Sequence, residues 1–502
     1  MCSASPRPSS GDPPRSAVLI RPDALGDLVL FSPALAALRD AWPAARIAVV
    51  IRQPFLAMAR LLAPAVEWIP TTINPYQLGP AECAAELVRF RAEVTSREPD
   101  LLVAACPRRH WLDGVLAAAI PSARRVAFHS NAEDPFFGRQ LRLGPGVSPE
   151  ELFAETAPAA GGGQDWERAF GLVDYLLGRP VERRPPKLVL DPALAQRAET
   201  VARGLGLEPG RYAAGAAAGF VNVAIKTWPG ERFAETIAWL HRERGLPTLL
   251  LGQRAERAYL DGVAGAAGAG AARVWIGEDG ELPLLAGLLA NARLYFGNDT
   301  GAMHLAAALG RPVVAVFGGG TWPRFQPAAQ RSISLVNPLP CFGCGWDCPF
   351  GDAPCVRAVP AEAARQALAA ILQEPGESGR EIREVRQVPE AQALLMGRVA
   401  ALARERTAAH LAREQRLQET VFLAGEKDGE IAALKRATDE KDAEIEQKDA
   451  EIRNLALALE AARTDAAGKD AEIKNLARAA DERLQLIIRL DRDLRAMVER
   501  GK

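Results

Sequence analysis

"FGNDTGAMHLAAALGRP", residues 296–312, decides how this chain folds. An apolar strand end runs into a glycine-flanked acidic turn, and an Ala/Leu-rich helix follows until Gly310 and Pro312 stop it. A helix N-terminus at the end of a strand is a seat for phosphate, because its first amides have no partner inside the helix. The carboxylate of Asp299 in that same turn is therefore a puzzle. It would repel the anion that the amides of Thr300 and Gly301 invite.

Working outward, the strand-then-turn unit recurs on both sides. "YAAGAAA", "PTLLLGQ" (247–253), "ARVWIG" (272–277), "ARLYFGND" (292–299) and "PVVAVFGGG" (312–320) each lead into a helix or a glycine-rich turn, with a helical pattern over 231–243 between the first two. Upstream, "AVLI" (17–20) and "IAVVI" (47–51) flank a helical pattern over 30–41, and "DLLVAAC" (100–106) and "RVAFHS" (125–130) continue the series. Short apolar strands alternating with helices specify parallel sheets. The fold class expected is α/β, with two doubly wound Rossmann-like domains. Polar, Pro/Gly-rich sequence over 131–185 separates the two series, and a helix at 360–374 closes the second. The expected boundaries are a disordered tail at 1–15, domains at 16–180 and 181–375, a polar linker at 376–395 and a helical region at 396–502.

The chain has 502 residues, 48% of them hydrophobic, enough for two or three domains with real cores. A formal net charge of −1 argues against a nucleic-acid partner. No apolar run approaches the ~20 residues that span a bilayer. "MCSASPRPSSGDPPRS" lacks the apolar stretch of a signal peptide, so a cytoplasmic location is expected. Seven cysteines in such a setting favour free thiols or a metal site over disulfides.

Three constellations carry candidate chemistry. "IRPDALGDLVLFSPAL" (20–35) follows the first strand and puts Asp23 and Asp27 near a cleft, with Asp27 readable as a base or as a helix cap. "IKTWPGERF" (225–233) offers Lys226 to a phosphate, or to solvent; "LLLGQRAER" (249–257) offers Glu256 to ribose hydroxyls, or to solvent. The opening stretch supplies Asp299, Thr300 and Gly301, and His304 one helical turn on, which can equally pack on the sheet.

Taken in order, "RPDALGD", "K-x-W-P", a later "G-x-x-x-E" and "FGNDTGAMHLAAALGRPVVAVFG" resemble the ADP-heptose:lipopolysaccharide heptosyltransferases of glycosyltransferase family 9, over about residues 16–375. The resemblance implies a GT-B fold whose first domain binds acceptor and whose second binds the nucleotide-sugar. It also implies an inverting transferase that needs no catalytic metal. By the same resemblance Asp27 is the catalytic base; Lys226, Glu256, Asp299, Thr300, Gly301 and His304 bind the donor. Heptose from ADP-heptose is the expected sugar, and a lipid-linked or surface-glycan acceptor the expected partner, met at the periphery of the inner membrane. The opening puzzle then has an answer. The amides face the diphosphate, and Asp299 turns aside to sugar hydroxyls or to the helix end.

One stretch departs from the family pattern, and another is rich in cysteine, as in other members of the family it resembles. "ACPRRHWLDG" (105–114) brings Arg108, Arg109 and His110 towards the acceptor side, as anion-binding or as ordinary exposed residues. "CFGCGWDCPFGDAPC" spaces Cys341, Cys344, Cys348 and Cys355 closely enough to hold a structural zinc or iron, or to remain thiols. Beyond the linker, "EKDGEI", "EKDAEI", "QKDAEI" and "GKDAEI" place Ile431, Ile445, Ile452 and Ile473 in one heptad register, continued by Leu459, Ile487 and Leu494. Leu434, Leu455, Leu476, Leu490 and Met497 follow three residues later, with Lys441, Lys448 and Lys469 weakening the seam. A coiled coil that self-associates or takes a partner is expected. The competing readings are a transferase using another nucleotide-sugar or a protein acceptor, and a non-catalytic coiled-coil scaffold. A dinucleotide oxidoreductase is disfavoured because "RPDALGD" lacks the glycine fingerprint.

Overall fold

The computed structural model describes residues 13–80, 82–107, 110–128, 152–158, 163–219, 223–278, 280–373, 379–386, 395–409, 413 and 440–461, with residues 478, 482, 483 and 485 beyond them. The first lobe is a parallel sheet of β1 (Ser16–Ile20), β2 (Arg46–Arg52), β3 (Glu67–Thr71), β4 (Leu101–Ala104), β5 (Arg124–Phe128) and β6 (Glu155–Ala157), in the order β3-β2-β1-β4-β5-β6. Every residue of β1 is buried, as a central parallel strand covered on both faces requires. Val18 pairs with Ala48 on one side and Leu102 on the other.

The second lobe repeats the scheme with β7 (Ala213–Ala216), β8 (Thr248–Gln253), β9 (Ala272–Gly277), β10 (Leu294–Asn298), β11 (Val313–Phe317), β12 (Arg331–Val336) and β13 (Gly379–Glu384). Their order is β13-β12-β11-β10-β7-β8-β9, again all parallel. In each sheet the winding reverses beside the first strand, between β1 and β4 and between β7 and β10. Ligands collect outside the carboxyl ends of strands at such a reversal. Asp27 follows β1; Lys226 follows β7; Asp299 follows β10.

Two expected boundaries shift. Arg15, placed in the N-terminal tail, already joins the sheet: its amide donates to Asp100 Oδ2 at 3.0 Å and its carbonyl accepts from Arg46 at 2.9 Å. Gly379–Glu384, within the stretch expected as linker, is the edge strand β13, paired with β12 from Arg331↔Gly379 to Val336↔Glu384. Its charged residues suit an edge, where they discourage further strand pairing, and that same polarity makes it read as linker.

The Leu25–Ala41 helix carries Pro33 in its interior, where a proline leaves the carbonyl four residues back without a donor. Ser32 Oγ supplies one, donating to Val29 O at 2.8 Å. This helix packs against the Asp165–Leu177 helix in the first-lobe core and against the Gly301–Ala308 helix of the second lobe. An extended crossover follows, along which the Leu188 amide donates to Ala308 O at 2.9 Å. The Pro192–Gly204 helix then starts on Asp191, whose Oδ1 accepts from Ala193 N at 2.7 Å.

Of the heptad region, residues 440–461 are described as helix; Ile431, Leu434, Lys469, Ile473, Leu476, Ile487, Leu490, Leu494 and Met497 lie outside the described residues. Within 440–461 the heptad positions Ile445, Lys448, Ile452, Leu455 and Leu459 are all at least partly covered. What they face includes this chain's own helical segment 395–409. Arg398 pairs with Glu451 at 3.4 Å, Lys448 with Glu405, Arg406 with Asp449 at 3.1 Å and Arg413 with Asp442 at 2.8 Å, an antiparallel sequence of ion pairs. Met396, Ala400 and Leu459 are buried in the second-lobe core.

Candidate active site

Where β1 ends, the chain turns through Arg21 and Asp23, both buried, with Arg21 Nε 3.0 Å from Asp23 Oδ2. Arg21 also donates to Ala105 O, and its guanidinium lies 4.7 Å over the Phe31 ring. Tyr76 donates its phenol hydrogen to Asp23 Oδ1, and Arg52 Nε donates to Asp23 O at 3.2 Å. Burial works to raise the Asp23 carboxyl, but Arg21 and the Tyr76 hydrogen bond prevail and hold it below its ordinary value. Asp23 is thus a fixed negative charge.

Asp27, on the first turn of the next helix, is pushed the other way, to about 7, by burial first and then by the Asp23 charge. Arg21 and Arg324 oppose this rise, and Asp165 adds to it. The helix begins on Ala24 and makes no side-chain capping bond at that residue, so the cap position is not held by Asp27. Two carboxylates four residues apart, driven in opposite directions, leave one charged and one poised to exchange a proton near neutrality.

Asn298, ending β10, is fully buried and binds three backbone groups: its Nδ2 donates to Ala217 O at 3.1 Å and Ala218 O at 3.2 Å, and its Oδ1 accepts from Trp228 N at 3.0 Å. It therefore ties the chain after β7, which carries Lys226, to the acidic turn after β10. Thr300 begins the Gly301–Ala308 helix, but its hydroxyl is 3.0 Å from Tyr295 OH and caps no amide. The helix start remains open to an anion.

Burial raises the Asp299 carboxyl, and the Lys226 charge works against that rise. His304 is pushed down to about 3, chiefly by burial and then by Lys226, so it is neutral at ordinary pH. Its Nε2 lies 3.9 Å from Asp299 Oδ1. Lys226 thus acts on both Asp299 and His304, and these residues form one cluster.

The two clusters meet. A Cβ on Gly26 would come 2.8 Å from the His304 ring, and one on Gly301 would come 2.9 Å from Leu25 Cβ. Only glycine on each helix permits this approach. Around it, Arg324 of the second lobe grips Asp165 of the first through Nε–Oδ1 at 2.8 Å and Nη2–Oδ2 at 3.1 Å. The Asp165 amide also donates to Arg324 O at 2.9 Å. Beside this pair, Phe325 and Ala328 pack into the first-lobe core.

Glu256 is 4% exposed, and its Oε2 accepts from Gln253 N at 3.0 Å, closing the turn after β8. His110 is 1% exposed, with its ring edge-on to Tyr76 at 5.6 Å and its amide donating to Asp113 Oδ2 at 3.0 Å. It lies beneath the Asp23–Tyr76 contact, away from solvent. Arg108 and Arg109 lie outside the described residues. Cys341 and Cys355 are buried, Cys344 and Cys348 half-buried, and all four are free thiols. Burial pushes Cys341 up to about 12 and Cys355 up to about 11, as expected for protonated thiols. Among the described residues no three His, Cys, Asp or Glu side chains are gathered to hold a metal.

Asn298, Asp165 and Arg324 were not singled out from the sequence. Asn298 sits inside the quoted "GND" turn; Asp165 and Arg324 lie 159 residues apart in stretches without a motif.

Two parallel-sheet α/β lobes meeting at their strand-end crevices define a GT-B-like glycosyltransferase architecture. Residues 157–345 match the sequence profile of glycosyltransferase family 9 (heptosyltransferase), and this match supports a glycosyltransferase. No curated protein matches the chain. Among solved structures, a family 9 glycosyltransferase from Veillonella parvula DSM 2008 aligns with a TM-score of 0.56 at 19% identity, over 71% of this chain and 97% of that one. E. coli ADP-heptose lps heptosyltransferase II aligns at 0.52 and 16%, over 71% and 98%. E. coli heptosyltransferase WaaC with ADP aligns at 0.50 and 21%, over 71% and 99%. At these identities the likeness is one of fold.

Proposed function

We propose that this chain is an inverting, metal-independent glycosyltransferase, and that it moves heptose from ADP-heptose to a hydroxyl of a lipopolysaccharide or other surface-glycan acceptor. The observation that carries this reading is the close approach of the Asp27 helix to the donor-side helix at Gly26 and His304, where burial and the Asp23 charge push the Asp27 carboxyl up to about 7. A base that titrates near working pH is matched to taking a hydroxyl proton. As the acceptor oxygen attacks the anomeric carbon, its proton passes to Asp27. The bond from that carbon to the diphosphate breaks on the opposite face, which inverts the centre.

The departing charge is received by Lys226 and by the open amides at the start of the Gly301–Ala308 helix. Neutral His304 adds no competing charge, and Asp299 takes sugar hydroxyls. Glu256 reaches the ribose side while its second oxygen holds the turn. Acceptor enters over the first lobe, at the cytoplasmic face of the membrane; among the described residues no helix is long and apolar enough to cross one.

Calorimetry with ADP, UDP and GDP, alongside transfer from ADP-heptose, tests this. ADP should bind at least about tenfold tighter than the others, a difference of about 1.4 kcal/mol. Asp27→Asn should keep ADP affinity and lose transfer by about a hundredfold or more. Full activity in that variant removes the base, and a preference for UDP or GDP removes heptose.

A further inference from the structure

The Asp165–Arg324 ion pair joins the two lobes through a two-bond fork. Asp165 begins a first-lobe helix and is almost fully buried; Arg324 leaves the second lobe on the loop between β11 and β12. A ring of contacts brings the pair to Asp27. Arg324 Cζ lies 5.4 Å from the centre of Phe325, Phe325 lies 6.2 Å from His304, and His304 abuts Gly26. The helix carrying Asp27 packs directly on the helix that Asp165 begins.

We propose that Asp165 and Arg324 are positioning residues that act through Asp27, a standing first-lobe anion and a cation brought by the second lobe that together set its charge state. This inference rests on the assignment of Asp27 as base. The charged groups acting on Asp27 are Arg21 and Asp23 on its own loop, Arg52 at the end of β2, Asp165 and Arg324, while neutral His304 lies against the neighbouring Gly26. Arg21, Asp23 and Arg52 belong to the first lobe and stay with Asp27 whatever the second lobe does. Arg324 alone among the cations arrives with the donor-side lobe. Its approach favours the carboxylate and Asp165 disfavours it, so the pair balances a base that must be charged to accept a proton yet basic enough to take one.

The test follows the Asp27 carboxyl band by infrared difference spectroscopy across pH, with Asp27→Asn as the reference, and needs no sugar substrate. Wild type should titrate near the value of about 7 given by its surroundings. Asp165→Asn should lower the midpoint by about half a pH unit or more, and Arg324→Gln should raise it by a similar amount. Arg324→Lys, which keeps the charge and loses the fork, should return it towards wild type.

A latch that merely holds structure would admit water on breaking and lower the midpoint in both neutral variants. Movement in the same direction, or none, overturns the proposal. If Arg324→Gln does not fold, Asp165→Asn still decides through the frequency of the protonated Asp27 band, which moves when water reaches the group. A lowered midpoint with the band at its wild-type frequency supports the proposal. A lowered midpoint with the band moved as water entry moves it, or an unmoved midpoint, sinks it. Failure of the transferase reading shows elsewhere, as absent ADP binding or as transfer surviving in Asp27→Asn, with these midpoints untouched.

Discussion

At the scale of single residues, the Asp27 carboxyl makes a claim about stability as well as chemistry. Its folded value, about 7, lies above the ordinary 3.8, so between those limits the folded state holds a proton that the unfolded chain has released. Stability tied to this group is full below about pH 4 and is lost as pH rises through 7. Asp27→Asn copies the protonated form and removes that loss. The variant should unfold like wild type near pH 4 and be more stable by about 2–4 kcal/mol at pH 8, read from urea melts at both values. Equal stability at pH 8 would show that the carboxyl is not pushed up.

Gly26 makes a second residue-scale claim. The added methyl of Gly26→Ala meets the His304 ring at 2.8 Å, and the ring is held on its own helix beside Phe325. Relief requires the two lobes to part at the site itself. A cost of about 1–3 kcal/mol is expected for such overpacking, with transfer falling far more than stability does. Unchanged transfer at full occupancy of donor would contradict the close approach.

At the scale of elements, Asn298 is the joint between two turns that the sequence presents separately. Asn298→Ala strips the partners from Ala217 O, Ala218 O and Trp228 N in a fully buried place. A loss of about 2–3 kcal/mol in denaturant melts is expected, with ADP binding weakened because Lys226 is no longer held beside Asp299. The strands were legible because they are continuous apolar runs such as "AVLI" and "PVVAVF", and the Asp299 turn because glycine, acid and helix start coincide there. β13 was not, since an edge strand of charged residues carries no apolar period. Asp165 and Arg324 were not either: nothing local marks a pair that only the meeting of two lobes brings together. Glu256 was named for its place after a strand, while its hold on the Gln253 amide is visible only in the fold.

At the scale of the whole molecule, the heptad period was legible, and the face it marks is the covered face of segment 440–461. The identity of what covers it was not, because antiparallel pairing within one chain leaves the same period as pairing between chains. Leu459→Ala should lower the thermal midpoint of the full chain, at a cost of about 2–4 kcal/mol, since this side chain lies in the second-lobe core. A midpoint unmoved by that change would mean the segment is merely laid on the surface. Light scattering of the full chain against one ending at residue 395 measures how much of the tail is left for a second copy; identical monomeric mass in both excludes self-association.

The rooting of Met396, Ala400 and Leu459 has a mechanical corollary. A tail embedded in one lobe behaves as a handle on that lobe. A load applied through it reaches the second lobe directly and the first lobe across the seam that holds the Asp165–Arg324 pair.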